Sequence, residues 1–152
     1  MLHKTTILGA VLALILFGEW SWSQSGAPAA TAGTVPLEGT YWKLIELGGM
    51  AAVGGANANE ASLVLNADGK KLTGSTGCNP VVGTYKLRGG SLHFRPSGLA
   101  KTACSDALQK QEEAFVEILK QTTKYRVVGE TLELRDKEDV LAKFQARLQP
   151  RP

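Results

Sequence analysis

The chain changes its hydrophobic period once. Between Leu37 and Gln145, short runs alternate apolar and polar residues and are broken by glycine-rich turns. Only Asp106 to Thr122 switches to a period near 3.6. That pattern confines the fold to an antiparallel sheet interrupted by a single helix. "GTYWKLIEL" reads as the first strand, with Trp42 and Leu44 on one face and Tyr41, Ile45 and Leu47 on the other. The loop "GGMAAVGGANANE" is too small-chained to be an element. "ASLVLNADGKKLTGS" is a hairpin turning at Asp68-Gly69, with Leu63, Leu65 and Leu72 facing inward and Ser62 and Asn66 outward. "VGTYKLRGGSLHF" is a second hairpin turning at Gly89-Gly90. It places Tyr85, Leu87, Leu92 and Phe94 inside and His93 outside.

Arg95 to Ser105, which contains Pro96 and Cys104, reads as a loop. The helix is expected over residues 106–122, with Asp106 as N-cap and Gln109 as its capping-box partner. Leu108, Phe115 and Leu119 form its buried stripe, flanked by Glu112 and widened by Ile118. Glu112, Glu113 and Glu117 against Lys110 and Lys120 read as a solvated face. A catalytic carboxylate pair would need a shielding pocket to tune it. "KYRVV", "TLELR" and "VLAKFQ" are the closing strands. The expected order is five strands, the helix, then three strands: an α+β, mostly β fold, with a strongly curved antiparallel sheet or cracked barrel of about eight strands.

The flanks carry a different signal. "MLHKTTILGAVLALILFGEWSWSQ" has a basic start at Lys4, an aliphatic run from Ile7 to Phe17, and small residues at Ser21 and Ser23. This is the three-part form of a secretory signal peptide, and cleavage is expected between Ser23 and Gln24. The apolar run is shorter than the roughly 20 residues that span a bilayer, so no stable membrane span is expected after cleavage. Residues 24–36 read as a flexible leader, 37–146 as one domain and 147–152 as a disordered tail. The net charge is +3. It does not change on loss of the signal, which carries one base, Lys4, and one acid, Glu19. Bases and acids interleave, so a nucleic-acid stripe is not expected. His93 is the single histidine left after cleavage, which excludes a multi-histidine metal site. No cofactor is expected.

Two cysteines in an exported chain favour a disulfide between Cys78 and Cys104, with a reactive Cys78 nucleophile as the competing reading. They stand 26 residues apart. The chain-entropy model assigns about 3.5 kcal/mol to closing such a loop.

"LEGTYWKLIEL", "GSTGCNPVVGTY", "LHF", an "AC" ahead of "EEAF", and the closing "TLEL" and "LAKF" together resemble the META/HslJ domain, over Leu37 to about Gln145. The residues carrying the resemblance are Gly39, Thr40, Trp42, Gly77, Cys78, Asn79, Gly83 and Tyr85. It implies a secreted, periplasmic or envelope-attached protein linked to heat or envelope stress. It also implies a cracked barrel interrupted by a helix, similar to secretin pilot proteins that hold a lipid tail. No enzymatic activity is implied, so Asn79 and Tyr85 are read as structural: Asn79 bonded to its own turn, Tyr85 packed inside with its hydroxyl at an edge. The expectation is a monomeric, non-enzymatic accessory protein that binds an envelope protein or a hydrophobic ligand through the open barrel end. A second reading is a carrier of lipid or small apolar ligands, with a cavity lined by Leu63, Leu65, Phe94, Leu132 and Phe144. An enzyme using Cys78 is the third.

Overall fold

The computed structural model describes residues 34–54, 60–99 and 102–147. The expected signal peptide with Ser23 and Gln24, most of the leader and most of the tail lie outside the described residues. The strands are β1 (Tyr41–Leu47), β2 (Met50–Ala51), β3 (Ala61–Asn66), β4 (Lys71–Thr76), β5 (Pro80–Arg88) and β6 (Ser91–Leu99). The helix α1 (Asp106–Gln121) follows, then β7 (Lys124–Val128), β8 (Thr131–Asp136) and β9 (Asp139–Arg147). All pairings are antiparallel, and β1 pairs with both β3 and β9, which closes eight strands into a barrel. The two-residue β2 lies outside that ring. It extends the edge of β1 at Glu46 and Leu47, beyond the stretch that β3 covers. With β2 counted, the helix follows the sixth strand rather than the fifth.

The ring is weakest between β6 and β7, where the ladder is reduced to Ser91 opposite Lys124. The chain spends α1 at this seam. Leu108, Gln111, Phe115 and Leu119, spaced on one helical face, are buried against the barrel. The Phe115 ring meets the Phe144 ring edge-on, with centroids 6.1 Å apart. Trp42, Leu63, Leu65, Leu92, Leu132 and Leu134 join them in one buried cluster. The inward positions expected from alternation are therefore the core, with Leu87 only partly buried at its margin.

Besides β2, which forms inside the loop expected to hold no element, three details depart from the sequence expectation. Leu47 is buried together with Trp42 and Leu44, because the β1–β9 register shifts between Leu44 and Glu46. That bulge inserts one residue and returns Leu47 to the inner face. The first part of the loop expected over residues 95–105 is strand, while residues 102–105 belong to no element. β6 continues to Leu99, pairing Pro96 with Gly83 and Gly98 with Val82 across a second register shift. Proline is tolerated there because it sits at a bulge, in a part of β6 that β7 does not pair. A Cβ at Gly83 would lie 2.4 Å from the Arg95 carbonyl oxygen, so the close approach of the two strands requires glycine. Finally, the helix N-cap is Ser105, with no side-chain cap bond, and Asp106 occupies the first turn. The Asp106/Gln109 capping box does not form. The Asp106 carboxylate still favours the positive end of the helix dipole.

Candidate functional site

The corner between β4 and β5 holds Gly77, Cys78 and Asn79, and the fold brings the start of α1 onto it. Cys78 is bridged to Cys104, with Cα atoms 6.0 Å apart, a separation that suits a disulfide. In this form Cys78 has no thiol to act as a nucleophile. The Thr76 hydroxyl oxygen accepts the backbone N–H groups of Cys78 (3.2 Å) and Asn79 (3.0 Å), closing the turn. Its hydrogen points to the Glu112 Oε2, 2.9 Å away.

Asn79 is buried, and its side chain binds the strand corner, the loop and the helix at once. Its Oδ1 accepts the Thr102 N–H at 3.0 Å. Its Nδ2 donates to the Thr102 carbonyl (3.3 Å), to Glu112 Oε2 (2.9 Å) and to Cys78 Sγ (3.1 Å). Asn79 thus reaches well beyond its own turn. Glu112, expected on a solvated face, is instead half-buried and serves as the helix's attachment to this corner.

Gln111 is a site residue the sequence reading missed. Its Oε1 accepts the Val53 N–H at 2.6 Å, and its Nε2 donates to the carbonyls of Val53 (3.2 Å) and Thr76 (2.9 Å). One amide therefore fixes the segment after β2 to both α1 and the corner. Gly77 stands under it with φ +90°, and a Cβ there would come within 3.1 Å of Gln111 Nε2. Both the backbone conformation and the contact call for glycine.

The second motif lies at a separate place. Gly39 (φ +79°) turns the entering chain. The Thr40 hydroxyl donates to the Pro36 carbonyl at 2.6 Å, and the Trp42 indole N–H to the Leu37 carbonyl at 2.9 Å. Tyr85 projects from the barrel interior and donates to Glu38, with the Asn66 carbonyl oxygen 3.1 Å from the same hydroxyl. Lys70 Nζ lies 2.7 Å from Glu38 and stacks over the Tyr85 ring. The Lys70 hydrogen bond, followed by that from Tyr85, lowers the Glu38 pKa. Burial, followed by the Glu38 carboxylate, raises that of Tyr85. The phenol therefore stays protonated and acts as a donor that holds the entering chain to the barrel end.

These two constellations spend their polar atoms on the scaffold. Among the described residues no buried side-chain nitrogen or oxygen lacks a partner. The bridge borders a groove of about 570 Å³, between α1 and the Thr102–Ala103 segment, with Cys78, Glu112, Glu113 and Val116 in its lining. Among the described residues there is no group of three or more side chains with metal-ligating chemistry, and no helix is long and apolar enough to cross a membrane.

A META domain family model matches residues 35–148. The chain belongs to the META domain family. No curated protein matches it. Among solved structures it is similar to a Burkholderia xenovorans protein solved by NMR, with a TM-score of 0.60 and 23% identity over 74% of this chain and 85% of that one. A DUF4847 family protein from Bacteroides vulgatus, solved by crystallography, gives a TM-score of 0.52 and 16% identity over 75% of this chain and 96% of that one. At such identities the likeness is one of fold. In this META domain the Gly-Cys-Asn corner is where helix, loop and barrel are joined.

Proposed function

We propose that this META domain protein is a non-enzymatic accessory protein of the cell envelope that works by binding a partner protein. The observation that carries the reading is an apolar ledge on a fixed support. Ile45, Met50 and Val53 are 40%, 71% and 39% exposed. They lie along β1, β2 and the segment that Gln111 clamps by both backbone groups of Val53. A pre-set apolar surface binds with less ordering cost than a flexible one. Export is supported by the signal-like N-terminus and by the use of both cysteines in one bridge. An envelope or stress role rests on the family resemblance alone.

The carrier reading has less support. Leu63, Leu65, Phe94, Leu132 and Phe144 all belong to the buried cluster, and none lines the groove beside the bridge. Site-specific photocrosslinking in the native cell separates the readings. A crosslinker at position 50 is expected to give one discrete protein adduct, with none from position 93 on the exposed outer face of β6. No adduct at position 50, or the same adducts from both positions, would sink the partner reading.

A further inference from the structure

We propose that the Cys78–Cys104 bridge is a reversible thiol–disulfide exchange site, in which an incoming thiolate attacks Cys104 and Cys78 departs. The proposal is independent of which partner the domain binds. Both cysteines are half-buried rather than sealed in the core. The two sulfurs have different surroundings. Cys78 faces the groove lined by Glu112, Glu113 and Lys120, and an anionic nucleophile entering there meets two carboxylates against one ammonium. Cys104 does not line that groove.

The leaving side is also prepared. The Asn79 amide has two hydrogens facing three acceptors: Glu112, the Thr102 carbonyl and Cys78 Sγ at 3.1 Å. A bridged sulfur is a weak acceptor, whereas a thiolate is a strong one. That contact therefore strengthens as charge develops on Cys78, and it works against the repulsion from the Glu112 carboxylate bonded to the same amide. Exchange runs faster when the leaving thiol is stabilised as its anion.

In the first step the incoming thiolate forms a sulfur–sulfur bond to Cys104. The Cys78–Cys104 bond breaks, its electron pair stays on Cys78, and that thiolate later takes a proton from water. A second thiol then attacks the incoming group's own sulfur. It releases Cys104 as thiolate and leaves the reductant as its disulfide. The net change consumes two thiols and yields two protein thiols and one oxidised reductant. Reversal is built in. Asn79 grips Thr102 by both its N–H and its carbonyl without help from the bridge, so the loop stays beside Cys78 after reduction.

The test uses the full oxidised chain under native conditions, with glutathione in one arm. The second arm uses a dithiol oxidoreductase whose resolving cysteine is replaced by serine. Acid quenching, alkylation of free thiols and peptide mapping locate the mixed disulfide. Attachment to Cys104 with the alkyl label on Cys78, favoured about tenfold over the converse, is the expected result. The faster arm identifies whether a small or a protein thiol is the reagent. Equal attachment at both cysteines, a preference for Cys78, or no reaction in either arm until denaturant is added would overturn the proposal. Asn79→Leu adds a second check. A merely structural role for Asn79 would loosen the loop and speed exchange. Stabilisation of the leaving thiolate predicts exchange about tenfold slower, with the preference for Cys104 lost.

Discussion

Phe115→Ala is expected to lower stability by about 3–5 kcal/mol, the usual cost of emptying a large aromatic site in a core. Phe115 is 1% exposed, meets Phe144 edge-on, and stands mid-helix between Gln111 and Leu119. The effect is large because of where the helix sits. At the β6–β7 seam the ladder supplies one pair, so side-chain packing from α1 replaces the missing strand contacts. In a domain of this size the loss corresponds to a melting temperature lower by about 10–20 °C. Lys110→Ala, on the exposed face of the same helix, should stay within about 0.5 kcal/mol of wild type. Calorimetry on both variants checks this. A Phe115→Ala loss under about 1 kcal/mol would mean that the helix does not seal the barrel.

Replacing both cysteines with alanine is the second large effect. The bridge closes a span of 26 residues, and its loss should cost about 3.5 kcal/mol, chiefly by freeing the unfolded chain. Adding a reductant to the wild type should give the same shift. The double variant should nevertheless fold with an unchanged far-ultraviolet spectrum. Thr76, Asn79, Glu112 and Thr102 remain joined without the sulfurs. Denaturant titration of oxidised, reduced and double-alanine protein compares the three. An unfolded double variant would show that the bridge, rather than the Asn79 network, holds the corner.

The barrel was legible where local chemistry and tertiary pairing agree. The Asp68-Gly69 and Gly89-Gly90 turns, flanked by period-two apolar runs, gave both hairpins their inner residues. Where pairing overrides local signals, the sequence misled. Pro96 helped Arg95 to Ser105 read as a loop, yet β5 holds Pro96 and Gly98 in a strand. Alternation put Leu47 outside because a bulge is invisible to a period count.

The corner was half legible. Cysteine count and compartment chemistry pointed to the bridge that the structure contains. Glu112 was set aside as a flanking charge because its partners, Thr76 and Asn79, lie on another element more than thirty residues away. Gln111 did leave a signal. It falls three residues after Leu108 and four before Phe115, on the buried stripe itself. A polar residue in that position must find partners, and Val53 and Thr76 supply them.

The central claim is an exported, disulfide-closed domain that binds a protein and carries no lipid. The most direct test is the native intact mass of the protein taken from its own compartment, with thiol labelling before and after reduction. The account predicts a chain beginning at Gln24, no label until the bridge is reduced, both cysteines labelled afterwards, and no small-molecule mass. A chain that retains its signal peptide, a thiol that labels without reduction, or an added mass that leaves in organic solvent would contradict it.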